Sequence, residues 1–134
     1  SIITTGSVAG SGTTNPGAAV YSASKAAVSY LTRTCAIELA PRNIRANTVC
    51  PAVIAGTGMM TADDGGEEAR LMASLTALGR MGRVDEAVGA YLFLASDESS
   101  FITGQEIRVD GGMTAGFGLP VLEAVGRSLG MPKD

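Results

Sequence analysis

Residues 21–50 read YSASKAAVSYLTRTCAIELAPRNIRANTVC, and this stretch decides the fold. Residues 21–39 contain no glycine or proline, alanine is frequent, and Ala23, Ala27, Leu31, Cys35 and Leu39 recur at every fourth position. That period predicts a helix over 21–39 with one apolar stripe. Pro41 ends it, because the residue before a proline is pushed out of the helical region. Residues 44–50 then return to strand-like composition.

Upstream, Ser1-Ile-Ile-Thr-Thr5 is a short β-branched run stopped by Gly6, which predicts a buried strand. Residues 7–20 are rich in Ser, Thr, Gly, Asn and Pro, and Asn15-Pro16-Gly17 is a turn signal, so this segment is expected to be a loop. Strand, loop, helix and strand make one βαβ unit. Downstream, residues 51–66 are small and glycine-rich and read as a mobile flap, followed by a short helix over 67–75. Asp85 can cap a further helix to about residue 95, with Val84, Val88, Tyr91, Leu92 and Ala95 on its apolar face. Residues 106–109 are expected to form a third strand, and 116–134 a tail with a short helix over 120–129.

Both connections between strands contain helices, so the expected assembly is α/β, with a three-stranded parallel sheet and crossover helices. Such sheets are normally covered on both faces. The first strand begins at residue 1 with no neighbour before it, which leaves an open edge. This pattern is expected of a fragment that lacks an N-terminal half.

Composition narrows the chemistry. Ten basic and thirteen acidic side chains give a net charge of −3 without any run of like charges, which argues against nucleic acid and membrane surfaces as partners. No apolar stretch approaches the roughly 18 residues that span a bilayer, and no basic-then-apolar leader opens the chain, so a cytoplasmic location is expected. Cys35 and Cys50 match no CxxC spacing and read as reduced, buried thiols. Histidine is absent, which removes a Ser/His/Asp triad, a His-based metal site and the commonest general base. Proton chemistry is left to Tyr, Lys, Asp or Glu, and no metal ligand set is expected.

The run Tyr21-Ser-Ala-Ser-Lys25, opening a helix after a Gly/Ser loop, resembles the Tyr-x-x-x-Lys signature of the short-chain dehydrogenase/reductase family. Thr5-Gly-Ser-Val-Ala-Gly10 is similar to the family's strand-end segment, with Ser7 at the position of its catalytic serine. Ile44-Arg-Ala-Asn-Thr-Val-Cys-Pro51, Leu78-Gly-Arg-Met-Gly-Arg83 and Thr103-Gly-Gln-Glu-Ile-Arg-Val-Asp-Gly-Gly112 resemble later family segments in the family's order. The resemblance covers about residues 1–115. It implies that residues 1–134 are the C-terminal catalytic part of a single domain, built on a Rossmann-like doubly wound sheet.

The resemblance further implies an NAD(P)-dependent oxidoreductase that interconverts an alcohol and a ketone. Tyr21 is the implied acid and base, Ser7 binds the carbonyl oxygen, and Lys25 holds the nicotinamide ribose. The residue types suit this chemistry. Hydride transfer to a carbonyl leaves charge on oxygen, which needs a proton donor and hydrogen bonds; a phenol titrates near pH 10 when unperturbed, and a neighbouring cation such as Lys25 favours the phenolate. A spacing of four puts both side chains on one helix face.

Tyr21, Lys25, Pro51, Ala52, Ile54 and Thr57 are the implied cofactor-contacting positions. Ala52 stands where the family has glycine, and one additional residue precedes Thr57. The family's glycine-rich pyrophosphate loop has no counterpart in this chain, so the choice between NAD and NADP is not legible. A homodimer or homotetramer of the complete protein is implied. The competing expectation is a non-catalytic interaction module, in which the small residues of the 21–39 helix pack against a partner.

Overall fold

The computed structural model describes residues 1–60, 66–116 and 118–131. In chain order the elements are β1 (Ile2–Thr5), α1 (Val8–Ser11), α2 (Ala19–Leu39), β2 (Ala46–Pro51), α3 (Glu67–Ser74), α4 (Val84–Ala95), β3 (Glu106–Val109) and α5 (Leu119–Ser128), with 3-10 turns at Ala40–Arg42 and Asp97–Ser99. The chain divides into two compact units, Ser1–Ala52 with Asp85–Val109, and Val53–Val84 with Asp110–Asp134.

The first unit holds the expected three-stranded parallel sheet, in the order β1-β2-β3. Ile2 to Thr5 pair with Ala46 to Val49, and Thr48 to Pro51 pair with Glu106 to Val109. The central strand is the core: Ala46, Asn47, Thr48, Val49 and Cys50 are all buried. Asn47 is a polar residue with no exposure, and it is satisfied on both sides. Its amide donates to Ile102 O at 2.9 Å and accepts from Gln105 N at 3.0 Å, which ties β2 to the turn that leads into β3.

Two expectations about this unit are corrected. Residues 7–20 are not all loop: Ser7 caps the single-turn helix α1, and α2 starts two residues before Tyr21. The stripe from Ala23 to Leu39 is not the face of α2 that meets the sheet. The buried residues are Ser29, Thr32 and Ala36, whereas Leu31 is 64% exposed and Ile37 76%. A helix lying close on a sheet needs small side chains on its inner face, and hydropathy does not read Ser and Thr as core. Here they are joined by hydroxyls. Thr32 donates to Val28 O at 2.8 Å, so it accepts from Thr4 at 2.8 Å, and Thr4 in turn accepts from Thr48 at 2.9 Å. One directed chain thus links β2, β1 and α2.

In the second unit, Ile54 and Gly82 form a parallel bridge: Gly82 N donates to Val53 O at 3.0 Å and Ala55 N to Gly82 O at 2.9 Å. Gly118 lies against Thr76 and Ala77, where an added Cβ would meet Thr76 O at 2.9 Å. Residues 61–65 of the expected flap lie outside the described residues; Met59 is exposed, and Met60 and Met72 are half-buried. Among the described residues, no helix is long and apolar enough to cross a membrane.

Helix α4 also turns differently from its predicted phase. Asp85 sits inside its first turn instead of capping it, and the inward residues are Ala87 and Leu94, while Leu92 is 65% exposed. Its C-terminal end is held by Arg45, just before β2. Arg45 donates from Nη2 to Leu94 O at 3.0 Å and to Ser96 O at 3.1 Å, and Ser1 Oγ and Ser99 Oγ also donate to Leu94 O. These donors satisfy helix-end carbonyls, and the guanidinium charge complements the helix dipole. Hydrogen bonds to charged groups are each worth about 1.5–3 kcal/mol. Arg45→Met is therefore expected to destabilise the protein by about 1.5–3 kcal/mol in urea unfolding, and an unchanged midpoint would remove Arg45 as the anchor of α4.

Candidate active site

The site of the first unit is assembled where β1 ends. Gly6 N donates to Val49 O at 2.8 Å, the last bond of the β1–β2 edge, and the chain then turns through Ser7 into α1. Gly6 is confined on all sides: an added Cβ would lie 2.7 Å from Thr48 Cγ2, 2.9 Å from Cys50 Sγ and 3.2 Å from Ser29 Oγ. Cys50 is buried as expected, whereas Cys35 is only half-buried; both are free thiols. Ser7 is 8% exposed, and its hydroxyl accepts from Ala9 N at 3.1 Å. This is an N-cap, the local bond a turn serine makes. It leaves the hydroxyl hydrogen available as a donor.

Gly10 sets the distance between α1 and α2. A Cβ there would lie 2.5 Å from Ala26 N, 2.7 Å from Lys25 C and 2.9 Å from Lys25 Cβ. Backbone therefore packs on backbone at the residue that carries the ammonium. Lys25 and Tyr21, one helical turn apart on α2, are both half-buried. Lys25 Nζ lies 5.8 Å from the Tyr21 ring centroid and donates to the Thr5 carbonyl at 3.1 Å. The structure thus brings Lys25 to the strand end from which Ser7 emerges, with Tyr21 beside it.

Pro51 closes β2 in register with Val109, and Ala52 N donates to Val109 O at 3.1 Å. Ile54 and Thr57 belong to the second unit. Ile54 is buried in its bridge with Gly82. The Thr57 hydroxyl donates to Ile54 O at 3.2 Å and accepts from Met60 N at 3.2 Å, so it closes a local turn. Among the described residues, no group of three or more His, Cys, Asp or Glu is placed to hold a metal ion.

A family model described as Enoyl-(Acyl carrier protein) reductase matches residues 1–114. The cyclopentanol dehydrogenase of Comamonas testosteroni is 50% identical over 100 residues, which are 75% of this chain and 40% of that protein. A short-chain dehydrogenase/reductase from Serratia marcescens superposes with a TM-score of 0.77 at 38% identity, covering 84% of this chain and 45% of that one. The chain belongs to the short-chain dehydrogenase/reductase family. A second similar structure, a 4-hydroxyisoleucine dehydrogenase mutant complexed with NADH and succinate, has a TM-score of 0.79 at 35% identity and covers 87% of this chain and 47% of that one. The chain spans less than half the length of these relatives, and its parallel sheet and helices form part of the family's Rossmann fold.

Two contributors to this candidate site were not found from sequence. The Thr5 carbonyl is a backbone acceptor, which no residue type announces. The α1 cap was signalled only by a serine before Val8-Ala9, a weak pattern in a Ser/Gly-rich stretch. The close approach at Gly10 predicts the effect of a single methyl group. Gly10→Ala must push α1 away from Lys25 and is expected to destabilise the protein by about 1–3 kcal/mol. Urea unfolding measures this, and a loss below about 0.5 kcal/mol, the usual range for surface substitutions, would mean the contact is not tight.

Proposed function

We propose that the complete protein is an NAD- or NADP-dependent oxidoreductase that interconverts a small-molecule alcohol and the corresponding ketone. In this reading residues 1–134 are the C-terminal catalytic part of a single dinucleotide-binding domain. The observation that carries it is the placement of Lys25: its ammonium lies 5.8 Å from the Tyr21 ring centroid while bonded to the strand end that leads into Ser7. A hydroxyl at the cap of α1 and a phenol and a cation one turn apart on α2 are what carbonyl reduction needs in a chain without histidine.

The donor set suits a dinucleotide's ribose. Lys25 uses one N–H on the Thr5 carbonyl, and an ammonium has three. Pro51, Ala52, Ile54 and Thr57 are the further contacts proposed on the cofactor side, Ile54 through its backbone; Pro51 has no N–H, and Ala52 N and the Thr57 hydroxyl are already bonded. When bound, the nicotinamide ring supplies or accepts the hydride.

The chain's own residues do the rest. In reduction, Ser7 donates its remaining hydrogen bond to the carbonyl oxygen, and Tyr21 gives that oxygen its phenolic proton as charge develops there. In oxidation, Tyr21 takes the proton back. Lys25 keeps a positive charge beside Tyr21 throughout, so that the phenolate left after proton donation is not an isolated anion.

A second reading has support from the surface of α2. Val20, Tyr30, Leu31 and Ile37 are exposed apolar residues on one 21-residue helix, which favours association with another copy. We therefore propose a homodimer or homotetramer for the complete protein. If these residues were the only function, the protein would self-associate without binding NADH or NADPH in titration calorimetry.

The deciding variant is Tyr21→Phe in the complete protein, assayed by nicotinamide absorbance against a panel of ketones and alcohols. Loss of the acid–base group is expected to lower kcat by about 10²–10⁴-fold with little change in cofactor affinity. Undiminished turnover would sink the assignment.

A further inference from the structure

Tyr91, on α4, looks from sequence like a packing residue, since it has no lysine one turn away and sits at a helical position among apolar neighbours. Its geometry is more specific. The ring is half-buried, and the hydroxyl lies 2.9 Å from the Thr5 hydroxyl. Thr5 is also the residue whose carbonyl accepts from Lys25 Nζ at 3.1 Å. Both links lie within the first unit.

The Thr5 carbonyl shares a planar peptide unit with Gly6 N–H, whose 2.8 Å bond to Val49 O is the last pairing of β1, so the side chain of Thr5 is the remaining hold on the strand end. Thr5 is the last residue of the strand, opposite Val49, and the chain leaves the sheet at Ser7. Successive side chains of a strand point to opposite faces. Thr4 is held on one face by the hydroxyls of Thr32 and Thr48. Thr5 is held on the other by Tyr91. The peptide unit between strand and site is therefore clamped from α2 and from α4. Lys25 has a flexible four-carbon stem, and the strand-end carbonyl is what fixes its ammonium.

We propose that Tyr91 and Thr5 are positioning residues for Lys25: the hydroxyl bond between them holds the Thr5 carbonyl in the orientation that receives the Lys25 ammonium. A phenylalanine would fill the same space on α4 but could not make this bond. The proposal rests on the oxidoreductase reading for its effect on turnover, but not for its effect on Lys25 itself.

The test uses the complete protein and the variants Tyr91→Phe, Thr5→Val and Thr5→Ser, with far-ultraviolet circular dichroism to confirm folding. The first readout is the order of the Lys25 side-chain ammonium, followed by ¹⁵N nuclear magnetic resonance in the absence of substrate. It is expected to fall in Tyr91→Phe and Thr5→Val and to be retained in Thr5→Ser. The second is the pH profile of kcat. The two hydroxyl-deleting variants are expected to lose about three- to tenfold in kcat with a displaced profile, and the double variant to be no worse than either single, as for members of one network. Unchanged ammonium order in folded Tyr91→Phe, or fully additive losses in the double variant, would overturn the proposal. Altered ammonium order together with an unaffected Tyr21→Phe enzyme would uphold the positioning role and reject the acid–base reading, so the two failures are separable.

Discussion

At Gly10 the backbone of α1 lies against the backbone of α2, so closely that a single methyl group would come within 2.5 Å of Ala26 N and 2.7 Å of Lys25 C. The rest of the site follows from this contact. Because Ser7 caps α1 and α2 carries Tyr21 and Lys25, the missing side chain at Gly10 sets how far the serine hydroxyl stands from the phenol and the ammonium. Gly6 acts in the same way one turn earlier, where Thr48, Cys50 and Ser29 leave no room for a Cβ. The absence of a side chain at Gly6 and Gly10 sets how closely these elements approach, and burial of Val8, Ala36, Ala46, Val49 and Cys50 holds the unit together.

The polar groups complete what the steric contacts begin. Threonines on β1, β2 and α2 pass one hydroxyl to the next and end on Val28 O, so every member of the buried chain is satisfied and its direction is determined. Asn47 does the same for the far side of β2. Such networks define one register of helix on sheet, and a helix that carries two proposed site residues one turn apart depends on that register. A charge on Lys25 is useful only if its position relative to Tyr21 is reproducible, and the Thr5 carbonyl provides that reference point.

Much of this was legible from residue order alone. The helix over 21–39, the strand after Pro41, the strand at 106–109 and the parallel pairing were all read from period, breakers and connection length, because each is a local or topological property. The orientation of the helices was not. On α2 the buried residues are Ser29, Thr32 and Ala36, and on α4 they are Ala87 and Leu94, whereas the more hydrophobic Leu31, Ile37 and Leu92 are exposed. Apolar periodicity finds the greasiest face of a helix; which face of α2 meets the sheet is decided by size and by hydrogen bonds. For the site, Tyr21, Lys25 and Ser7 were recognisable by spacing and resemblance. Thr5 and Tyr91 were not, since one acts through its carbonyl and the other through a hydroxyl contact eighty-six positions away in sequence.

The most direct test of the account is a crystal structure of the complete protein with a nicotinamide dinucleotide and an unreactive carbonyl analogue. One oxygen of the analogue is predicted to lie within hydrogen-bond distance of both the Tyr21 hydroxyl and Ser7 Oγ, with Lys25 Nζ still bonded to the Thr5 carbonyl and turned toward the ribose. An analogue seated away from Tyr21 and Ser7, or a Lys25 that abandons Thr5 for solvent, would contradict it.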